Sequence, residues 1–128
     1  MTVAAHIVDL FAFFGPIRVR RMFGGDGLFS GDVMIGFAHD DIVYLKADEL
    51  TRAAFVAEGC QPFRYKKQDD AEIVMSYYPV PDRLYDDPEE FAEWARRAYA
   101  VAERSPAVER KRREFAGRPI SRPSGARR

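Results

Sequence analysis

Four glycines fall within eight residues of RRMFGGDGLFSGD, residues 20–32, and the chain that follows alternates with period two. No other feature constrains the fold as tightly. In VMIGFAH, residues 33–39, Val33, Ile35 and Phe37 alternate with Met34, Gly36 and Ala38, and in IVYLKA, residues 42–47, Val43 and Leu45 alternate with Tyr44 and Lys46. Alternation of this kind marks a strand with two unlike faces. Residues 19–29 read as a further strand before them. The links Ser30-Gly31-Asp32 and Asp40-Asp41 are short and polar. A link that short joins antiparallel neighbours, so the three runs predict a meander. In the second strand the Val33, Ile35 and Phe37 face carries the bulk; the other is small enough for something to lie close.

The glycines do not suit phosphate. A Walker loop ends in Gly-Lys and a hydroxyl residue, and this segment has no lysine. Gly25 and Gly27 give the start of a dinucleotide fingerprint, but Ser30 stands where its third glycine belongs. A strand follows rather than a helix, so no helix N-terminus faces an anion. The glycines read as architecture. Gly24 and Gly25 allow a bulge or bend within the first strand, and Gly27 allows close approach of another element. Met22, Phe23, Leu28 and Phe29 are then packing residues. Arg18, Arg20 and Arg21 form either a modest positive patch or a solvated strand edge.

Three helices frame these strands. Residues 3–14 place Val3, Ile7, Leu10, Phe11 and Phe14 on one face, with Thr2 as N-cap and Gly15-Pro16 as the stop. Residues 48–58 follow Asp48 as cap, use Leu50, Ala54, Phe55 and Ala57 as the apolar side, and stop at Gly59. Residues 62–66 and 71–78 are two more strands around a charged turn, the second ended by Pro79 and Pro81. Residues 87–103 carry the strongest helix signal. Asp87 is the N-cap, Pro88 sits at the first helical position, and Glu90 stands three residues after the cap. Phe91, Trp94, Ala95, Ala98 and Val101 or Ala102 form its buried stripe. The expected fold class is α+β, a small antiparallel sheet packed with helices.

Charge divides the chain in two. Residues 1–103 hold 11 Lys or Arg against 18 Asp or Glu, a net of −7, and residues 104–128 hold 9 against 2, a net of +7. The expected organisation is an α+β domain over 1–103 and a basic, partly disordered tail over 104–128. The tail's candidate nucleic-acid contacts are Arg110, Lys111, Arg112, Arg113, Arg118 and Arg122, which would neutralise phosphates without reading bases. The alternative is docking on a partner or on the acidic body.

Candidate chemistry is sparse. His39, Asp40 and Asp41 are adjacent, which suits a polar hairpin turn better than a metal site, since metal ligands come from several elements. The single Cys60 follows a helix C-terminus, where a thiolate is disfavoured. Glu89, Glu90 and Glu93 open a helix and suit its dipole. No catalytic, cofactor-binding or metal-binding residue is assigned. Tyr44, Tyr65, Tyr77, Tyr78 and Tyr85 are more informative, because exposed tyrosines clustered together suit a partner surface. One cysteine cannot form an internal disulfide, the opening lacks the basic leader of a signal peptide, and no run is long enough to span a membrane. A cytoplasmic protein is expected.

Several separate motifs, taken in order, resemble one family. They are Arg21-Met22-Phe23-Gly24-Gly25, Gly27-Leu28-Phe29, Tyr44-Leu45-Lys46, Pro62-Phe63, and Ser76-Tyr77-Tyr78 with Pro81. Over roughly residues 3–103 the chain resembles the N-terminal domain of the TfoX/Sxy family. The resemblance implies an α+β domain without established enzymatic activity, similar to part of the regulators of natural competence, which act in transcriptional activation. The longer regulators carry a second helical domain, for which residues 104–128 leave no room. The family supplies no catalytic positions, and its motif residues Arg21, Met22, Phe23, Gly24, Gly25, Gly27, Leu45, Lys46, Ser76, Tyr77 and Tyr78 are expected to be mainly structural. The function expected is a regulatory or protein-interaction module with a protein partner, a homodimer through a free sheet edge among the candidates. Non-specific nucleic-acid binding by the tail is the alternative.

Overall fold

A computed structural model describes residues 5–22, 25–66 and 72–105. In chain order the elements are α1 (Ala5–Asp9), β1 (Arg18–Met22), β2 (Gly25–Ser30), β3 (Val33–His39), β4 (Ile42–Lys46), α2 (Arg52–Ala57), β5 (Arg64–Lys66), β6 (Glu72–Val74), β7 (Tyr77–Pro79), a 3-10 turn at Asp82–Asp86, and α3 (Pro88–Glu103). The main sheet is antiparallel in the order β1-β2-β3-β4-β7, and β5 pairs with β6 apart from it. This is the expected α+β class.

The expected first strand is in fact two. Met22 pairs with Gly25, so the chain reverses between them rather than bending within one strand. Phe23 and Gly24 themselves lie outside the described residues. The next two reversals match expectation. Gly31 opens its turn at φ +62°, and Asp40 and Asp41 both have positive φ, 52° and 65°. Consecutive left-handed residues twist a two-residue hairpin the way the flanking strands need, and Asp tolerates that conformation through local hydrogen bonding. His39, Asp40 and Asp41 are thus the end of β3 and its turn.

A bulge decides which side chains face which way. Leu28 pairs with Gly36 and Phe29 with Met34, which leaves Ile35 as an extra residue in β3. An extra residue shifts the side-chain phase by one. Val33 and Ile35 are buried before it, Gly36 and Ala38 after it. Phe37 therefore leaves the face of Ile35, against the sequence expectation. From here one row across the sheet is Val19, Leu28, Gly36, Leu45 and Tyr78, and the next is Arg20, Gly27, Phe37, Tyr44 and Pro79.

Except for Val19, which is exposed on the end strand, the first row belongs to the core. Leu28, Ile35, Val43, Leu45, Leu84, Phe91, Ile7 and Phe11 are fully buried, and Phe55, Trp94, Ala95 and Ala98 are buried among them. Each large apolar side chain here contributes about 1.5–3 kcal/mol by burial. α3 supplies the stripe expected for it, and the Asp87 carboxylate accepts from the Glu90 N–H at 3.2 Å. Glu90 does not reach back to the cap. Its carboxylate instead accepts from Arg83 at 2.9 Å and from Trp94 Nε1 at 3.2 Å, while Arg83 also holds Glu58 at 2.6 Å. That pairing keeps the Glu90 and Glu58 carboxyls below, and the Arg83 guanidinium above, their ordinary ranges.

The other two helices are shorter than expected. After Asp9 the chain tightens into turns closed by bonds such as Leu10 N–H to Ile7 O at 3.2 Å. Ile7, Leu10 and Phe11 still meet the core; Thr2 and Val3 lie outside the described residues. Asp48 forms a capping turn rather than a helical start, its carboxylate accepting from the Leu50 and Thr51 N–H groups at 3.0 and 2.9 Å. Leu50 consequently points outward at 84% exposure, while Phe55 keeps its place in the core. The strand expected over 71–78 divides at Met75-Ser76 into β6 and β7, and only β7 joins the main sheet. No helix among the described residues is long and apolar enough to cross a membrane.

Candidate interaction surface

The face of the sheet away from the core carries a cluster of aromatic rings. Phe37 stacks on Tyr44, its cross-strand partner, at 5.0 Å between ring centroids. Phe63, which precedes β5, closes edge-on over both, at 5.1 Å from Phe37 and 5.0 Å from Tyr44. Tyr77 meets Phe37 at 5.1 Å, and His39 meets Phe63 at 5.7 Å. Phe63 is held there by backbone: its N–H donates to Tyr77 O at 2.8 Å, and its carbonyl accepts from Met75 N–H at 2.9 Å. Stacked and edge-on pairs each add about 0.5–1.5 kcal/mol beyond area burial.

Yet Phe37, Tyr44, Phe63 and Tyr77 are all only half-buried, unlike the fully covered rings of Phe11 and Phe91 across the sheet. Cations border them. The Lys46 ammonium lies 4.9 Å from the Tyr77 ring centroid, and the Arg18 guanidinium lies 5.0 Å from that of Phe29. Burial lowers the Lys46 pKa and raises those of Tyr44 and Tyr77, with Asp40 adding to the Tyr44 rise. At neutral pH the face therefore presents neutral phenols, with the Lys46 side chain beside Tyr77.

The motif residues divide between the two faces. Leu45 and Tyr78 are core, whereas Lys46 and Tyr77 border the aromatic cluster. Arg21 and Met22 end β1, Gly25 and Gly27 lie on β2, and Phe23 and Gly24 fall outside the described residues. A Cβ on Gly25 would come within 2.7 Å of Ala38 O, so this glycine serves strand approach. Ser76 is exposed, and its carbonyl accepts from Ala47 N–H at 2.9 Å. Of the other tyrosines, Tyr85 is half-buried with its hydroxyl accepting from Val43 N–H at 2.9 Å; the Tyr65 side chain lies outside the described residues. Arg110, Lys111, Arg112, Arg113, Arg118 and Arg122 also lie outside them. Sequence reasoning missed Phe37 and Phe63, because the Ile35 bulge and the position of residue 63 over the sheet leave no mark in the local pattern.

Among the described residues no catalytic geometry assembles around Cys60. It lines a surface cleft of about 600 Å³ with Glu58, Gln61, Pro79, Asp82 and Arg83, and with no histidine among the described residues. Burial raises its thiol pKa, and Glu58 and Asp82 raise it further. His39 faces Phe63 and Asp40 instead; the His6 side chain lies outside the described residues. Among the described residues, no group of three His, Cys, Asp or Glu side chains could hold a metal ion.

Residues 9–102 match the family model described as the TfoX N-terminal domain. A relative of this chain is the "DNA transformation protein TfoX1" of Aliivibrio fischeri, 32% identical over 68 residues. That alignment takes in 53% of this chain but 32% of the relative, so the chain spans about a third of that protein's length.

Proposed function

The chain belongs to the TfoX N-terminal domain family, and from that premise we propose that it is a non-enzymatic regulatory module acting through protein contact. The half-buried aromatic cluster of Phe37, Tyr44, Phe63 and Tyr77 carries the reading. Rings fixed in place on a rigid sheet lose little conformational entropy on association, and Tyr and Phe are enriched in the cores of protein interfaces. The partner is another protein or a second copy of this chain. The relative named a DNA transformation protein, together with the resemblance to competence regulators, points the reading toward control of transcription in a competence-like response. Transcript profiling of a deletion strain tests this. Complementation with the intact chain and with Cys60→Ser should restore the profile, and Tyr44→Ser or Tyr77→Ser should not. Restoration by both tyrosine variants, or failure by Cys60→Ser, contradicts the reading.

The segregated charge supports a second reading, in which the tail's Arg110, Lys111, Arg112 and Arg113 hold the chain near nucleic acid without sequence preference. A generic duplex should bind the intact chain in a salt-sensitive manner. Serine at those four positions should weaken binding, and unchanged affinity would remove the tail from the account.

A further inference from the structure

β1 is an end strand of the main sheet, paired with β2 and with no other strand among the described residues. Every second residue of such a strand turns its N–H and C=O away from the sheet, where they are open to another strand. Arg18, Val19, Arg20 and Arg21 are all exposed along it. Arg18 and Arg20 are two residues apart, and their partners Phe29 and Gly27 lie on the aromatic side of the sheet. The Arg18 guanidinium is held there by the Phe29 ring and by a 3.1 Å bond to Gly31 O. Neither Arg18 nor Arg20 has a carboxylate partner among the described residues.

We infer that β1 is the docking edge for an acidic, extended segment of a partner protein, which adds to the sheet as a further strand beside the aromatic face. This rests on the protein-contact reading above and names the partner's chemistry. Charge selects the occupant. A second copy pairing β1 with β1 would set arginine against arginine across the ladder, which is destabilising. The chain's own tail, with 9 Lys or Arg against 2 acids, is repelled by the same edge. A strand with Asp or Glu at alternate positions places its carboxylates opposite Arg18 and Arg20 while its backbone completes the ladder.

The test uses the full-length ¹⁵N-labelled chain and three capped hexapeptides. EVEVEV is acidic and can pair as a strand. EPEPEP has the same charge but lacks alternate N–H donors. KVKVKV reverses the charge. EVEVEV should perturb the amides of β1 and β2 and bind about tenfold more tightly than EPEPEP. The double variant R18E/R20E, with an unchanged melting curve, should reverse the preference by about tenfold toward KVKVKV. Equal binding of EVEVEV and EPEPEP would reduce the effect to loose charge attraction and overturn the docking edge. Perturbations confined to the basic tail, or stronger perturbation of β1 by an oligothymidine than by EVEVEV, would overturn it as well. Failure of these peptides leaves the Tyr44 and Tyr77 complementation result standing, so the edge and the wider protein-contact reading fail separately.

Discussion

Replacement of Gly36 by alanine isolates a point of close backbone approach in the sheet. Gly36 is buried in the row Val19, Leu28, Gly36, Leu45 and Tyr78. A Cβ built there overlaps the Tyr44 carbonyl oxygen and sits 3.1 Å from the Tyr44 carbonyl carbon and 3.2 Å from Leu45 Cα. All three are backbone atoms of β4, so no side chain can rotate away. The strands themselves must separate, beside a bulge that already fixes their phase. Overpacking costs about 1–3 kcal/mol when side chains can adjust, and the upper end applies here. About 3 kcal/mol lowers the melting temperature of a domain near 100 residues by roughly 12–24 °C. Gly31 is the control. It has φ +62° but nothing within 4 Å of an added Cβ, so alanine there meets only left-handed strain of about 1–2 kcal/mol. Asparagine tolerates that conformation and should recover most of the loss at Gly31, but none of it at Gly36. Calorimetric melting of the four single variants decides the matter. Gly36→Ala melting within a few degrees of the parent, or rescue of Gly36 by asparagine, would refute the close-approach argument.

Three further outcomes follow from the same geometry. Tyr85→Phe leaves the Val43 N–H without its hydroxyl acceptor, in front of a fully buried side chain, and should cost about 1–3 kcal/mol in urea denaturation. The Asp48 carboxyl is held below its ordinary value of 3.8, first by the Thr51 N–H and then by Arg104 among others. A depressed folded pKa stabilises above the unfolded value and is lost as pH falls through the folded one. Stability should therefore decline below about pH 4, and Asp48→Asn should flatten part of that decline in melts taken from pH 6 to pH 2. The raised Cys60 pKa leaves little thiolate at neutral pH, so iodoacetamide at pH 7.5 should alkylate it more slowly than free glutathione.

Local physics made some of this fold legible in the sequence and hid the rest. α3 is written plainly, because cap, proline and apolar stripe all lie within one continuous segment. The Asp40-Asp41 hairpin is equally local. The reversal between Met22 and Gly25 was hidden because glycine permits both a bend within a strand and a turn between two. The bulge at Ile35 was hidden because period-two reading assumes an unbroken register, and the register depends on a partner strand. Phe37 therefore changed faces, and with it the aromatic surface came into view. Leu50 was misplaced for a related reason: the Asp48 carboxylate satisfies backbone donors through a turn, which competes with helix. The tyrosines gave the first hint of a contact surface, but only the pairing of β3, β4 and β7 brings Tyr44 and Tyr77 beside Phe37.

The central claim is that the aromatic sheet face meets a protein partner. Photocrosslinking in living cells tests it directly, with benzoylphenylalanine placed at Tyr77 and, as control, at the 84% exposed Leu50. The account predicts a discrete crosslinked protein from position 77, either a second copy or a distinct partner, that position 50 does not yield. The same products from both positions, or none from position 77, would contradict it.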